Sequence, residues 1–145
     1  MATPYQEIYD LYIPMTEDWN FLNLPIQDQN IILDGWLKSA IIEFDTCKED
    51  LSNRDDTLRQ FNIDLSDKVK KILARFILVE WLNPKLYTLQ FLQSQLSSKD
   101  FNQFSPANHL KEVRSCHGKA EKRAIGEKIK YGYNNFDPLK DLVSR

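Results

Sequence analysis

The sequence predicts an all-α fold, a bundle of about five helices with a long C-terminal helix that partly projects and a short tail. Three observations lead there. Apolar residues recur at intervals of three and four through most of the 145 positions. Thr3-Pro4, Ser66-Asp67 and Ser105-Pro106 place capping hydroxyls just before favoured first-turn residues. Strand signals are nearly absent, with no sustained period-two alternation and only four glycines. A chain of this size with 42% hydrophobic residues forms one domain, with residues 1–104 as the body, 105–133 as the long helix and 134–145 as a tail.

The first helix starts at Thr3-Pro4 and puts Tyr5, Ile8, Tyr9 and Tyr12 on one face before Pro14 closes it. The stretch TEDWNFLNLP, with Trp19, Phe21, Leu22 and Leu24, reads as an ordered connector. From Pro25 to Lys48 the residues Leu33, Trp36, Leu37, Ala40, Ile41 and Phe44 keep the rhythm of an amphipathic helix. The polar segment KEDLSNRDDTLRQFNIDLSD is anchored by Leu51, Leu58, Phe61, Ile63 and Leu65, so it is expected to pack as a loop.

Ser66 caps the next helix, Asp67 to Leu82, whose second half is apolar almost all round and is expected to form the centre of the core. Asn83-Pro84 is expected to break it, because a proline ring clashes with the preceding turn, and Lys85 to Leu96 resumes as a shorter helix. A turn, SSKDFNQFSP, leads into the last helix.

That last helix is the most informative part of the chain. From Ser105 to Tyr133 no internal proline interrupts it beyond Pro106, and about 26 helical residues span roughly 39 Å, longer than a small helical core is wide. Leu110, Val113, His117, Ala120 and Ala124 line one narrow stripe, and Ile125, Ile129 and Tyr133 continue a second. The second stripe is left exposed unless a partner covers it. Gly118 and Gly126 each cost the helix up to ~1 kcal/mol against alanine, which predicts a bend or a close backbone approach near one of them.

Charge is unevenly shared. Residues 1–107 carry 10 basic and 16 acidic side chains, and residues 108–145 carry 9 basic and 5 acidic. An acidic body and a basic tail suit head-to-tail stacking of identical subunits, or docking on an acidic partner. The basic residues Lys119, Lys122, Arg123, Lys128 and Lys130 alternate with Glu121 and Glu127, a weak footprint for sequence-specific DNA binding.

No catalytic constellation is visible, and the sequence predicts neither an enzyme nor a cofactor. Cys116, His117 and His109 do not converge: adjacent helix positions point about 100° apart, and a zinc site wants three or four ligands on one point. Asp55, Asp56, Asp64 and Asp67 lack the order of a calcium-binding loop. Cys47 and Cys116 are too few for a disulfide framework and are expected to stay thiols in a reducing cytosol. With no apolar run of about 20 residues and no leader-like N-terminus, the chain is expected to be soluble, unexported and free of any membrane.

Two stretches, DLSNRDDTLRQFNIDLSDKVKKILARFILVEWLNP and SSKDFNQFSPANHLKEVR, resemble the head-to-tail connector proteins, also called adaptor or neck proteins, of tailed bacteriophages that infect Gram-positive bacteria. The similarity runs from about Pro4 to Tyr133. It implies a helical virion protein, assembled in the host bacterial cytoplasm, that forms a homo-oligomeric, dodecameric ring under the portal. Such a ring extends the DNA channel and offers a platform for a stopper or tail-completion protein.

By that resemblance the C-terminal segment docks on the portal, which corresponds here to Lys119, Lys122, Arg123, Ile125, Lys128, Ile129, Lys130, Tyr131, Tyr133 and Phe136. An acidic loop holding Asp50, Asp55, Asp56 and Asp64 is the candidate for the channel wall or an inter-subunit contact, with packaged DNA nearby. The sequence departs from the pattern at Cys116-His117-Gly118 and in the added NNFDPLKDLVSR. A head-completion or tail-terminator protein, or a small helical regulator binding protein or DNA, are the alternatives.

Overall fold

The computed structural model describes residues 2–16, 19–95 and 106–134. Phe136, the Ser105 cap and the 97–104 turn lie outside these residues. The fold is mostly helical, as the spacing predicts. Strand β1 (Thr3–Pro4) leads into α1 (Tyr5–Tyr12) and a 3-10 turn (Ile13–Met15). The chain continues through α2 (Trp19–Leu22), α3 (Ile26–Glu43), β2 (Arg54–Asp55), β3 (Gln60–Phe61), α4 (Asp67–Gln95) and α5 (Pro106–Asn134).

Helix α4 is the axis, and α1, α3 and α5 all pack on it. The predicted face of α1, Tyr5, Ile8, Tyr9 and Tyr12, is buried, as are Leu33, Leu37 and Ala40 of α3. They meet Val69, Ile72, Leu73 and Ile77 of α4, each with no exposed surface. A fully buried side chain of this kind contributes about 1.5–3 kcal/mol, so this cluster dominates the stability. Trp36 stacks on Phe21, with ring centroids 5.8 Å apart, which orders the α2 connector.

The buried α4 residues thus begin at Val69, before the 75–82 half expected to form the centre of the core, and within that half Phe76, Ile77 and Leu82 are buried. Leu78, Val79 and Trp81 are only half-buried.

The expected break at Pro84 does not occur. α4 runs through the proline for 29 residues. Pro84 lacks the N–H that the Glu80 carbonyl would meet, a loss of one rung, but Leu86 beyond it packs with Leu110 and Val113 of α5. Tertiary burial on both sides of the proline outweighs that local cost.

A small sheet, unforeseen in the sequence, holds the polar segment. Its order is β1-β3-β2, antiparallel throughout, with Thr3 opposite Phe61 and Arg54 opposite Phe61 on the other side. Thr3 is buried, its Oγ1 donating to the Ile63 carbonyl at 2.9 Å and accepting the Leu65 N–H at 2.9 Å. Leu51, Phe61 and Leu65 are buried, as predicted for a loop that packs. Leu58 is instead 65% exposed at the hairpin tip. Arg59, in the left-handed region at φ 55°, closes the turn, and its guanidinium grips Asp34 of α3 with Nε–Oδ2 2.9 Å and Nη2–Oδ1 2.8 Å. Ser66 caps α4 as expected, its Oγ accepting the Val69 N–H at 3.4 Å.

Helix α5 lies antiparallel along α4: Glu127 meets Arg75, His117 meets Asn83, and Leu110 meets Leu86. Both helices have 29 residues, about 43 Å each, so α5 has a partner along its length and does not project as expected. Nor does either glycine mark a close approach. A Cβ at Gly118 or Gly126 would meet nothing within 4 Å. Gly118→Ala and Gly126→Ala are therefore each expected to raise the unfolding free energy by about 0.5–1 kcal/mol in urea titrations. Destabilisation by either would contradict the open space around these positions.

Candidate assembly interface

The outward face of α5 is set by the way its inner face is used. Ala124 has no exposed surface and Tyr131, seven residues on, is 5% exposed, so these two continue the stripe begun by Leu110 and Val113. Ile125 follows Ala124 by one position, about 100° around the axis. The row Ile125, Ile129 and Tyr133 consequently turns away from α4, at 42%, 53% and 77% exposure. Ile129, Gly132 and Tyr133 form a shallow apolar depression with Thr46, of about 430 Å³.

Two of the expected docking residues serve the fold. Tyr131 packs its ring edge-on against Phe44, centroids 5.2 Å apart, and its hydroxyl accepts the Lys48 N–H at 3.1 Å. Burial pushes the Tyr131 pKa up. Tyr131 is thus a core residue and not part of an exposed aromatic tail. Lys128 donates to the Glu43 carbonyl at 3.0 Å and pairs with Asp45 at 2.7 Å. It satisfies an orphan carbonyl at the C-terminus of α3, where a cation is also favoured by the helix dipole. The Lys128 ammonium holds the Asp45 carboxyl below its ordinary range.

The other predicted cations face solvent. Lys119, Lys122 and Lys130 are exposed, and Arg123 makes only a loose 3.8 Å contact with Glu127. Of the predicted docking residues, Lys119, Lys122, Arg123, Ile125, Ile129, Lys130 and Tyr133 thus remain exposed on α5.

The acids of the polar segment are engaged locally. Asp50 accepts from Ser52, and Asp55 accepts the N–H groups of Thr57 and Leu58 at 2.9 and 3.1 Å, shaping the turn. Asp56 accepts the Tyr5 hydroxyl at 2.6 Å and lies 3.4 Å from Arg54; the Tyr5 bond is the main cause of its lowered pKa. Asp64 is exposed. Asp50, Asp55 and Asp56 are therefore each hydrogen-bonded, with Asp55 and Asp56 on the hairpin.

Sequence reasoning missed a groove along the α4–α5 seam, about 640 Å³ in volume. Leu78 and Trp81 of α4 and Val113 and Ala120 of α5 form its floor, and Lys85, Lys119 and Arg123 line it as well. The Lys85 ammonium lies 4.6 Å from the Trp81 ring centroid. The sequence signal was faint: Trp81 and Lys85 are one turn apart, but Pro84 between them read as a helix break.

His117 sits at the seam with Nε2 2.6 Å from Asn83 Oδ1, the ring nitrogen donating, and Nδ1 3.7 Å from Glu121. Cys116, beside it, is exposed. No three His, Cys, Asp or Glu side chains converge among the described residues, and no helix there is long and apolar enough to cross a membrane. Comparison with protein-family models, curated proteins and solved structures found no match for this chain.

Proposed function

We propose that this protein is a structural subunit of a bacteriophage neck, assembling as a ring and docking on the portal through the outer face of α5. The observation that carries this reading is the row Ile125, Ile129 and Tyr133, left in solvent by a helix that buries Leu110, Val113, Ala124 and Tyr131 on another face. Large side chains recurring every four residues on an otherwise polar surface are an unfinished interface, and burying them on a partner is favourable by roughly 25 cal/mol for each Å² removed from water. The flanking Lys122 and Lys130 add affinity for an acidic surface. The resemblance of the 50–84 and 97–114 stretches to phage connectors supplies the partner: the portal on one side and a stopper or tail component on the other.

The test is a portal pull-down with point variants. Deleting residues 119–145 would remove Ala124 and Tyr131 from the core and confuse docking with unfolding. Ile129→Asp combined with Tyr133→Asp touches only exposed side chains. It is expected to keep the circular dichroism and melting profile of the unmodified protein while weakening portal binding by at least about ten-fold. Undiminished binding by this folded variant would remove the α5 face from the interface.

A further inference from the structure

We propose that the groove between α4 and α5 receives the 54–61 hairpin of a second copy of this chain, making one repeating contact of a ring. The inference rests on the reading of the protein as a ring subunit and names the two surfaces that would join. The hairpin tip offers Leu58, 65% exposed, with Asp55 and Asp56 beside it. The charge of the neighbouring Arg59 is already taken by Asp34 and that of Asp56 is shared with Arg54, so the tip presents an apolar knob with the Asp55 carboxylate beside it.

The groove is the complement. Its floor is apolar, Leu78, Trp81, Val113 and Ala120, and its cations are Lys119, Lys85 over the Trp81 ring, Arg123 at 3.8 Å from Glu127, and Arg75, which is matched by Glu127 at 2.8 Å. Glu112 is the acid among the lining residues, and His109 also lines the groove. At about 640 Å³ it is large enough for a turn of backbone with its side chains and not merely one leucine.

The two surfaces cannot meet within one molecule. Tyr5, at the start of α1, bonds the hairpin through Asp56, whereas Met15, just past the end of α1, lines the groove. The eight residues of α1 hold them about 12 Å apart or more. Each copy thus carries both halves of the contact at separate places, and such a heterologous joint propagates until rotation closes a ring. It is also distinct from the Ile125–Tyr133 face, so self-association and portal docking are separable.

Cys116 lines the groove and is exposed, which provides a direct test. The full-length Leu58→Cys variant, mildly oxidised at high concentration, is expected to give a ladder of dimers, trimers and larger species on a non-reducing gel. Peptide mapping should join the introduced cysteine to Cys116, and the ladder should vanish in Leu58→Cys with Cys116→Ser. In sedimentation velocity, Leu58→Asp and the pair Lys119→Glu/Arg123→Glu should each weaken self-association at least ten-fold. Mixed together they should recover a dimer and nothing larger, since one intact hairpin and one intact groove remain.

No ladder, a ladder indifferent to Cys116, or an unmodified protein that stays monomeric at millimolar concentration would overturn the proposal. A ladder that fails while portal binding through α5 persists would reject this joint and leave the docking face standing.

Discussion

Replacing Tyr131 with alanine is expected to lower the unfolding free energy by about 3–5 kcal/mol, the usual cost of deleting a buried aromatic ring. The ring is 5% exposed, meets Phe44 edge-on and holds the Lys48 N–H through its hydroxyl. It is the last buried residue of α5 among the described residues, and its hydroxyl holds the loop that follows α3. Tyr131→Phe keeps the ring and removes only the hydrogen bond, for a cost of about 1 kcal/mol. Urea unfolding of both variants checks this. A cost for Tyr131→Ala below about 1 kcal/mol would mean that the C-terminal end of α5 does not pack on the body.

Alkaline titration is expected to show the second large effect. Tyr9 and Tyr5 are buried, and burial followed by hydrogen bonding to Asp34 and Asp56 raises both phenol pKa values well above 10. In the unfolded chain they ionise near pH 10. Their contribution to stability is therefore whole below pH 10 and is lost as pH rises through the folded values, where the unfolded chain releases protons that the native state keeps. A phenol that stays protonated in the native state while ionising in the unfolded chain costs up to about 1.4 kcal/mol per pH unit in that window, so stability falls steadily above pH 10. Urea midpoints between pH 8 and 12 measure the slope, and Tyr9→Phe should be less steep by about one proton. A flat profile above pH 10 would contradict the buried hydroxyls.

Local chemistry made part of this fold legible. The three-four spacing of Tyr5, Ile8, Tyr9 and Tyr12, and of Leu33, Leu37 and Ala40, is a property of neighbouring residues, and these faces are buried as their periodicity requires. Ser66 caps α4 through its own hydroxyl, again a local matter.

What failed was non-local. Pro84 was weighed against the turn before it, but the packing of Leu86 on α5 decides that stretch. Halving α4 in this way also left α5 without a partner of its own length, so the expected projection is a consequence of the same error. The strands have two residues each, too short to alternate, and their hairpin turns through Arg59 where glycine or asparagine would have signalled it.

The candidate surface divides along the same line. Ile125, Ile129 and Tyr133 were legible as an uncovered stripe, because their number exceeds what one helix face can bury. Tyr131 is a neighbour of Tyr133 in sequence, but its seven-residue spacing from Ala124 places it on the inner face. The role of Lys128 is not legible locally, because the α3 carbonyl it satisfies is 85 residues away in sequence. The groove could not be anticipated, since it is made of two helices whose pairing depends on α4 being continuous.

Immunogold labelling of purified, DNA-filled phage particles tests the proposed place in a neck most directly. A single cluster of label at the junction of head and tail, also present on tail-less heads, is the expected result. Absence from washed particles, or label along the head or tail tube, would contradict a connector and return the exposed face of α5 to some other partner.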